Sequence, residues 1–138
     1  MTNRLSRDSY FGAIATVTAT RSTCPRAQVG AVAVKDNHII MTGYNGALSG
    51  DEHCIDAGCI MYIGHCIRSV HAEANIVIHC AKYGINLSGS KIYVTHKPCN
   101  ECMKLLIGAR VSEIIYLNEY EDDKQIPITN TIKMRRLI

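Results

Sequence analysis

The sequence predicts an α/β domain in which one sheet is covered by helices on both faces. Runs rich in β-branched residues at 30–35, 91–95 and 113–117 alternate with segments of helical apolar period at 5–19, 71–84 and 99–107. The 138 residues suffice for one core and no internal repeat divides them, so residues 1–138 are expected to form a single domain.

Each element has its own justification. Tyr10, Phe11, Ile14 and Val17 give 5–19 an amphipathic helical period, against the β-branched stretch from Ile14 onward. Gly30 to Lys35 forms a buried strand, Asp36-Asn37 a turn, and 38–42 the hairpin partner. Gly43-Tyr44-Asn45-Gly46 is turn chemistry and opens a loop to about residue 69, long enough to be functional or clamped by a metal. Ala74, Val77, Ile78 and Ala81 recur with helical spacing up to Gly84, which puts His71 and Glu73 in the first turn of a helix. The strand 91–95 runs into Pro98-Cys99, the helix 99–107 ends near Gly108, and 113–117 is a further strand. Residues 119–124 are a polar loop, after which Ile128, Ile132 and Leu137 line one side of a short last helix with Lys133, Arg135 and Arg136 on its solvated face.

Composition narrows the function classes. A charge of +3, scattered along the chain, argues against a nucleic-acid polymer as partner and is compatible with a small anionic substrate. No apolar stretch has membrane-spanning length, and the mixed segment around Arg4, Arg7 and Asp8 lacks signal-peptide character, so no membrane association and a cytoplasmic location are expected. Seven cysteines in such a chain point to metal and reduced thiols rather than disulfides.

The chemistry concentrates in His71-Ala72-Glu73 and Pro98-Cys99-Asn100-Glu101-Cys102. A catalytic zinc needs three protein ligands, an open fourth position and a nearby acid/base. His71, Cys99 and Cys102 supply the first, and Glu73 the last. Cys99 and Cys102 fall on one face of a helix start, where the thiolate is favoured. A closed structural site would add a fourth Cys or His, and a redox pair would need neither His71 nor Glu73. The combination is the His-x-Glu, Pro-Cys-x-x-Cys signature of zinc nucleobase deaminases. Cys24, Cys54, Cys59 and Cys66 lie in or beside loops and are enough to close a second, tetrahedral zinc site, with His53 and His65 as adjacent alternatives and plain reduced thiols as the simpler reading. Cys80 is a small core hydrophobe.

Tyr44-Asn45-Gly46 after a strand, the Cys/His-rich loop and the two motifs together resemble the deoxycytidylate (dCMP) deaminases, bacterial and phage branch, over residues 5–120. The zinc motif alone is shared with cytidine, guanine and tRNA adenosine deaminases, so the substrate rests on Tyr44-Asn45-Gly46 and the loop. The resemblance implies a three-layer α/β/α cytidine-deaminase-like fold with a central mixed sheet. It implies hydrolysis of dCMP to dUMP and ammonia, which supplies dUMP for dTTP synthesis, with a water whose pKa the zinc lowers to about 7. Glu73 would take the water proton, protonate N3 of cytosine and deliver a proton to the leaving amine. Asn45 would lie against the deoxyribose, Tyr120 near the nucleotide, and the Cys99 backbone N–H near the base. For the phosphate the matching segment offers Arg26 first and Ser22 second, with Arg26 as an ordinary surface charge the alternative. The related phage enzymes also imply the second, structural zinc, held by the four cysteines with His65 as substitute. A homo-hexamer activated by dCTP with Mg²⁺ and inhibited by dTTP is implied as well. Family members continue past the last motif with a full helix and another strand, so an incomplete sheet edge is expected here. Other readings are a deaminase of dCTP, cytidine or another base, and a catalytically silent zinc scaffold, for which Glu73 would have no use.

Overall fold

The computed structural model describes residues 3–120 and 132–137. Helix α1 (Arg7–Ala19) starts at Ser6, whose side chain accepts the Ser9 N–H. Its β-branched stretch is accommodated in the helix, with the Thr16 and Thr18 hydroxyls turned back onto the carbonyls of Gly12 and Ile14 at 3.0 and 2.8 Å and the Phe11 and Ala15 face packed on the sheet. The buried face is Phe11, Gly12, Ala15 and Ala19; Tyr10 and Val17, expected on that face, are exposed.

Strands β1 (Gly30–Lys35) and β2 (His38–Tyr44) form the expected hairpin, with Asp36 and Asn37 both at positive φ, the geometry of a two-residue primed turn. The long loop carries a short helix α2 (Cys54–Ala57) and a small hairpin, β3 (Met61–Tyr62) with β4 (His65–Cys66). Then follow α3 (Ala72–Tyr83), β5 (Lys91–His96), α4 (Asn100–Gly108), β6 (Glu113–Asn118) and β7 (Lys133–Arg136).

The main sheet has the order β2-β1-β5-β6-β7, with β1 antiparallel to both neighbours and β5, β6 and β7 mutually parallel. It is therefore a mixed sheet. Alternation along its strands sorts the core into two layers. Ala31, Ala33, Ile92, Val94, Ile114 and Tyr116 face α3 and α4, where Ile76, Cys80 and Leu106 meet them. Val32, Val34, Tyr93 and Ile115 face α1 through Phe11 and Ala15. Full burial of a side chain such as Ile76, Ile92, Leu106 or Ile114 contributes about 1.5–3 kcal/mol each. Two glycines permit the tight layering. A Cβ at Gly30 would fall 2.2 Å from the Ala15 carbonyl of α1, and one at Gly43 2.5 Å from the Ala72 carbonyl of α3.

The C-terminal segment corrects two expectations. Lys133–Arg136 is a strand, not a helix, and it completes the sheet edge by pairing parallel with β6, Glu113 opposite Lys133. Ile132 and Met134 pack on the α3/α4 layer whereas Leu137 packs on the α1 layer, which is the period of a strand. Arg135 ties this edge down, its Nε 2.6 Å from Glu113 and its Nη2 2.8 Å from Asp8. Ile128 and residues 121–124 of the expected polar loop lie outside the described residues. Among the described residues no helix is long and apolar enough to cross a membrane.

Candidate active site

The C-terminal ends of β2 and β5 meet the start of β1 at one edge of the sheet, since Gly30 pairs with Tyr44 and Ala31 with Val94. Two helices begin there. His71 is the N-cap of α3 and Cys99 the N-cap of α4, so each helix begins one residue later than expected, while Glu73 and Cys102 lie in the first turns. The α3 start is fixed by the pairing of Gly46 with Val70 and by Asn75, whose Nδ2 donates to the Tyr44 carbonyl at 2.9 Å.

These placements bring His71, Cys99 and Cys102 together. Both sulfurs lie 3.4 Å from His71 Nδ1, and the three candidate ligand atoms are within 4.8 Å of one another. Tetrahedral zinc with ordinary Zn–N and Zn–S bonds sets nitrogen and sulfur about 3.5 Å apart, so the triad fits the ion as it stands. Its protons are unevenly held in the metal-free chain. The hydrogen bond from Cys102, helped by His71, pulls Cys99 down to about 4, whereas the Cys99 sulfur and burial push Cys102 up. The hydrogen bond to Cys99 raises His71 against the effect of burial. Glu73 is 3% exposed, and desolvation raises its carboxyl above the usual range although the Cys102 thiol and His71 counteract it.

Beside the triad is a cavity of about 140 Å³. Its lining takes His71, Ala72 and Glu73 from the start of α3, Cys99 with His96 and Lys97 from the β5–α4 junction, Ala27, Val29 and Asn45 from the segments flanking the β1–β2 hairpin, and Tyr120 from beyond β6. Asn45 Oδ1 accepts the Val29 N–H at 2.9 Å and Nδ2 donates to the Ala27 carbonyl at 2.7 Å, so this side chain braces its own part of the lining. The second amide N–H and second lone pair remain for a ligand. Arg26 and Ser22, expected at the phosphate, do not line the cavity. The exposed Arg26 directs Nη1 at Met61 Sδ, 2.8 Å away, and the buried Ser22 hydroxyl donates to the Asn45 carbonyl at 3.0 Å while accepting from the Cys24 N–H. His96 and Lys97 were not singled out from the sequence; the available signal was their position at the end of a strand running into Pro98-Cys99.

A second cluster lies in the long loop. The sulfurs of Cys24, Cys54 and Cys59 are within 4.8 Å of one another, and Cys66 Sγ is 3.6 Å from Cys54 Sγ. Burial and its thiol neighbours push Cys54 up to about 12. At Cys66 burial is outweighed by backbone N–H groups, led by Ser69, and the thiol falls to about 7, the pattern of a sulfur prepared to be a thiolate ligand. His65 is the exposed neighbour of Cys66 on β4, where successive side chains point to opposite faces. His53 Nδ1 is buried with no hydrogen-bond partner among the described residues.

Comparison with known proteins agrees with this geometry. The family model described as "Cytidine and deoxycytidylate deaminase zinc-binding region" matches residues 5–118. ComE operon protein 2 of Bacillus subtilis (strain 168) is 45% identical over 118 residues, covering 86% of this chain and 62% of that protein. The deoxycytidylate deaminase of Mycobacterium phage D29 is 38% identical over 123 residues, covering 81% of this chain and 94% of the phage protein. Among solved structures, the dCMP deaminase of cyanophage S-TIM5 in complex with dCMP and dUMP superposes with a TM-score of 0.80 at 27% identity, over 99% of this chain and 100% of that one. The match spans the edge of the sheet where both helix starts converge, and on that ground the chain belongs to the cytidine and deoxycytidylate deaminase zinc-binding family.

Proposed function

We propose that the chain is a dCMP deaminase, hydrolysing a C–N bond of the cytosine amidine to give dUMP and ammonia. The observation that carries the reading is the buried Glu73 carboxyl in the lining of a cavity that His71 and Cys99 also line. The relatives named deoxycytidylate deaminase and the phage structure with dCMP and dUMP support the choice of nucleotide. His71, Cys99 and Cys102 would hold a catalytic zinc, which when bound supplies a Lewis acid able to lower the pKa of water to about 7. Glu73 carries the protons. Its raised pKa suits it to accept one from the attacking water and deliver it to N3 as C4 becomes tetrahedral, and then to take the proton of the C4 hydroxyl and pass it to the departing amine as the C4 carbonyl forms. Asn45 and Tyr120 hold the sugar side of the nucleotide. The Cys99 N–H, at an N-cap and unused within the helix, orients the base.

The Cys24, Cys54, Cys59 and Cys66 cluster would hold a structural zinc, supported by the convergence of its sulfurs. A homo-oligomer, a hexamer by resemblance, is supported by the exposed apolar side chains of the loop hairpin. The dCTP effector with Mg²⁺ and the dTTP inhibitor rest on resemblance alone, as does a cytoplasmic location.

The test compares dCMP, dCTP, deoxycytidine and CMP by loss of cytosine absorbance, with and without dCTP and Mg²⁺, beside metal analysis. Turnover of dCMP above the others with two zinc ions per chain is expected. Preference for another substrate would move the assignment to that base or nucleotide, and one zinc per chain would remove the structural site.

A further inference from the structure

We infer that Lys97 receives the 5′-phosphate of the substrate and thereby sets the preference for a nucleotide over a nucleoside; this rests on reading the cavity as a cytosine nucleotide site. Among the residues that line the cavity, Lys97 alone carries a fixed positive charge. Burial holds His96 below its usual pKa, so that imidazole is neutral at neutral pH, and His71 is engaged by both thiols. The part of the lining formed by Glu73 and Cys99 disfavours an anion, since a carboxyl and a low-pKa sulfur gather there. Lys97 is also held in place. Its N–H donates to the Asn118 carbonyl at 2.9 Å, and its Nζ lies 5.8 Å from the Tyr116 ring centroid. Among the described residues no carboxylate is within ion-pair range of that ammonium. Lys97 lines the cavity, is partly buried and has no carboxylate partner among the described residues, which makes it a strong point-charge partner for a phosphate dianion. Arg26 is withdrawn from the cavity and cannot serve without moving.

The experiment measures kcat/KM for dCMP and for deoxycytidine in the zinc-loaded wild type, Lys97→Gln, Lys97→Arg and Arg26→Gln. Lys97→Gln should lower the dCMP/deoxycytidine ratio about tenfold or more through KM, as loss of a charge-assisted contact implies. Lys97→Arg should keep the ratio within about threefold. Equal losses on both substrates would make Lys97 a packing residue, and loss of the ratio in Arg26→Gln alone would return the phosphate to Arg26; either result overturns the inference. Calorimetry with dUMP and deoxyuridine runs in parallel. If the wild type fails to deaminate dCMP, the catalytic reading falls, while Lys97 is still decided by whether Lys97→Gln loses the preference for dUMP.

Discussion

Glu73 is a carboxyl almost wholly buried at the lining of the cavity, and the desolvation that raises its pKa suits it to moving protons. Glu73→Gln keeps the shape and the hydrogen-bonding ends but cannot shuttle. We expect kcat to fall by about 10²–10⁴-fold with zinc content unchanged, read by steady-state kinetics and metal analysis on the same sample. Retained turnover would take Glu73 out of the mechanism. Asn45 shows the opposite economy of a polar side chain. Both ends of its amide already hold the backbone at Ala27 and Val29, so it shapes the cavity before it can touch a sugar.

At the scale of elements, α1 is fastened to the sheet by polar contacts as well as by Phe11. The Tyr93 hydroxyl donates to Asp8 at 2.6 Å, and that bond, with Arg135 and against the effect of burial, holds the Asp8 carboxyl below its ordinary 3.8. A carboxylate with a depressed pKa stabilises the fold above its unfolded pKa, and that stability is lost as pH falls through the folded value. Tyr93→Phe should therefore cost about 1 kcal/mol at neutral pH, and the Tm gap to wild type should narrow as pH falls below the ordinary 3.8 of the carboxyl. Metal loss in acid affects both proteins, so the gap isolates Asp8. The elements differ in how legible they were in sequence. β1, β5 and β6 are apolar runs because both faces of the sheet are covered, and α3 and α4 announce themselves by motif and period. β7 was hidden. Its residues Lys133 to Arg136 become a strand through the open edge of β6 and the anchor of Arg135, information that lies some twenty positions away in the chain. The direction of Arg26 was hidden for a related reason, since only the fold shows that its side chain turns to Met61.

At the scale of the whole molecule, the hairpin of β3 and β4 carries a concentration of outward apolar side chains, with Tyr62 63%, Ile63 79% and Ile67 61% exposed. Exposed apolar patches serve as association surfaces, and the homo-oligomer proposed above would use this one. Ile63 has φ +48°, a conformation that β-branched residues resist and Asp tolerates better, so Ile63→Asp removes the apolar contact without straining the turn. Its assembled mass by light scattering should drop at fixed concentration while zinc content stays constant; an unchanged mass would exclude the hairpin from the subunit contact. The two helix starts have a further consequence. His71 and Cys99 occupy N-caps yet make no side-chain capping bond, in positions where Ser, Thr or Asp would add about 1 kcal/mol. The chain thus forgoes stability in its empty form at the residues it needs when loaded. After chelation, Cys99→Ser should melt above the wild type, and with zinc restored the order should invert. Selection for thermal hardiness alone, in a medium starved of metal, would drift these two sites toward ordinary caps and erase the enzyme while improving the fold.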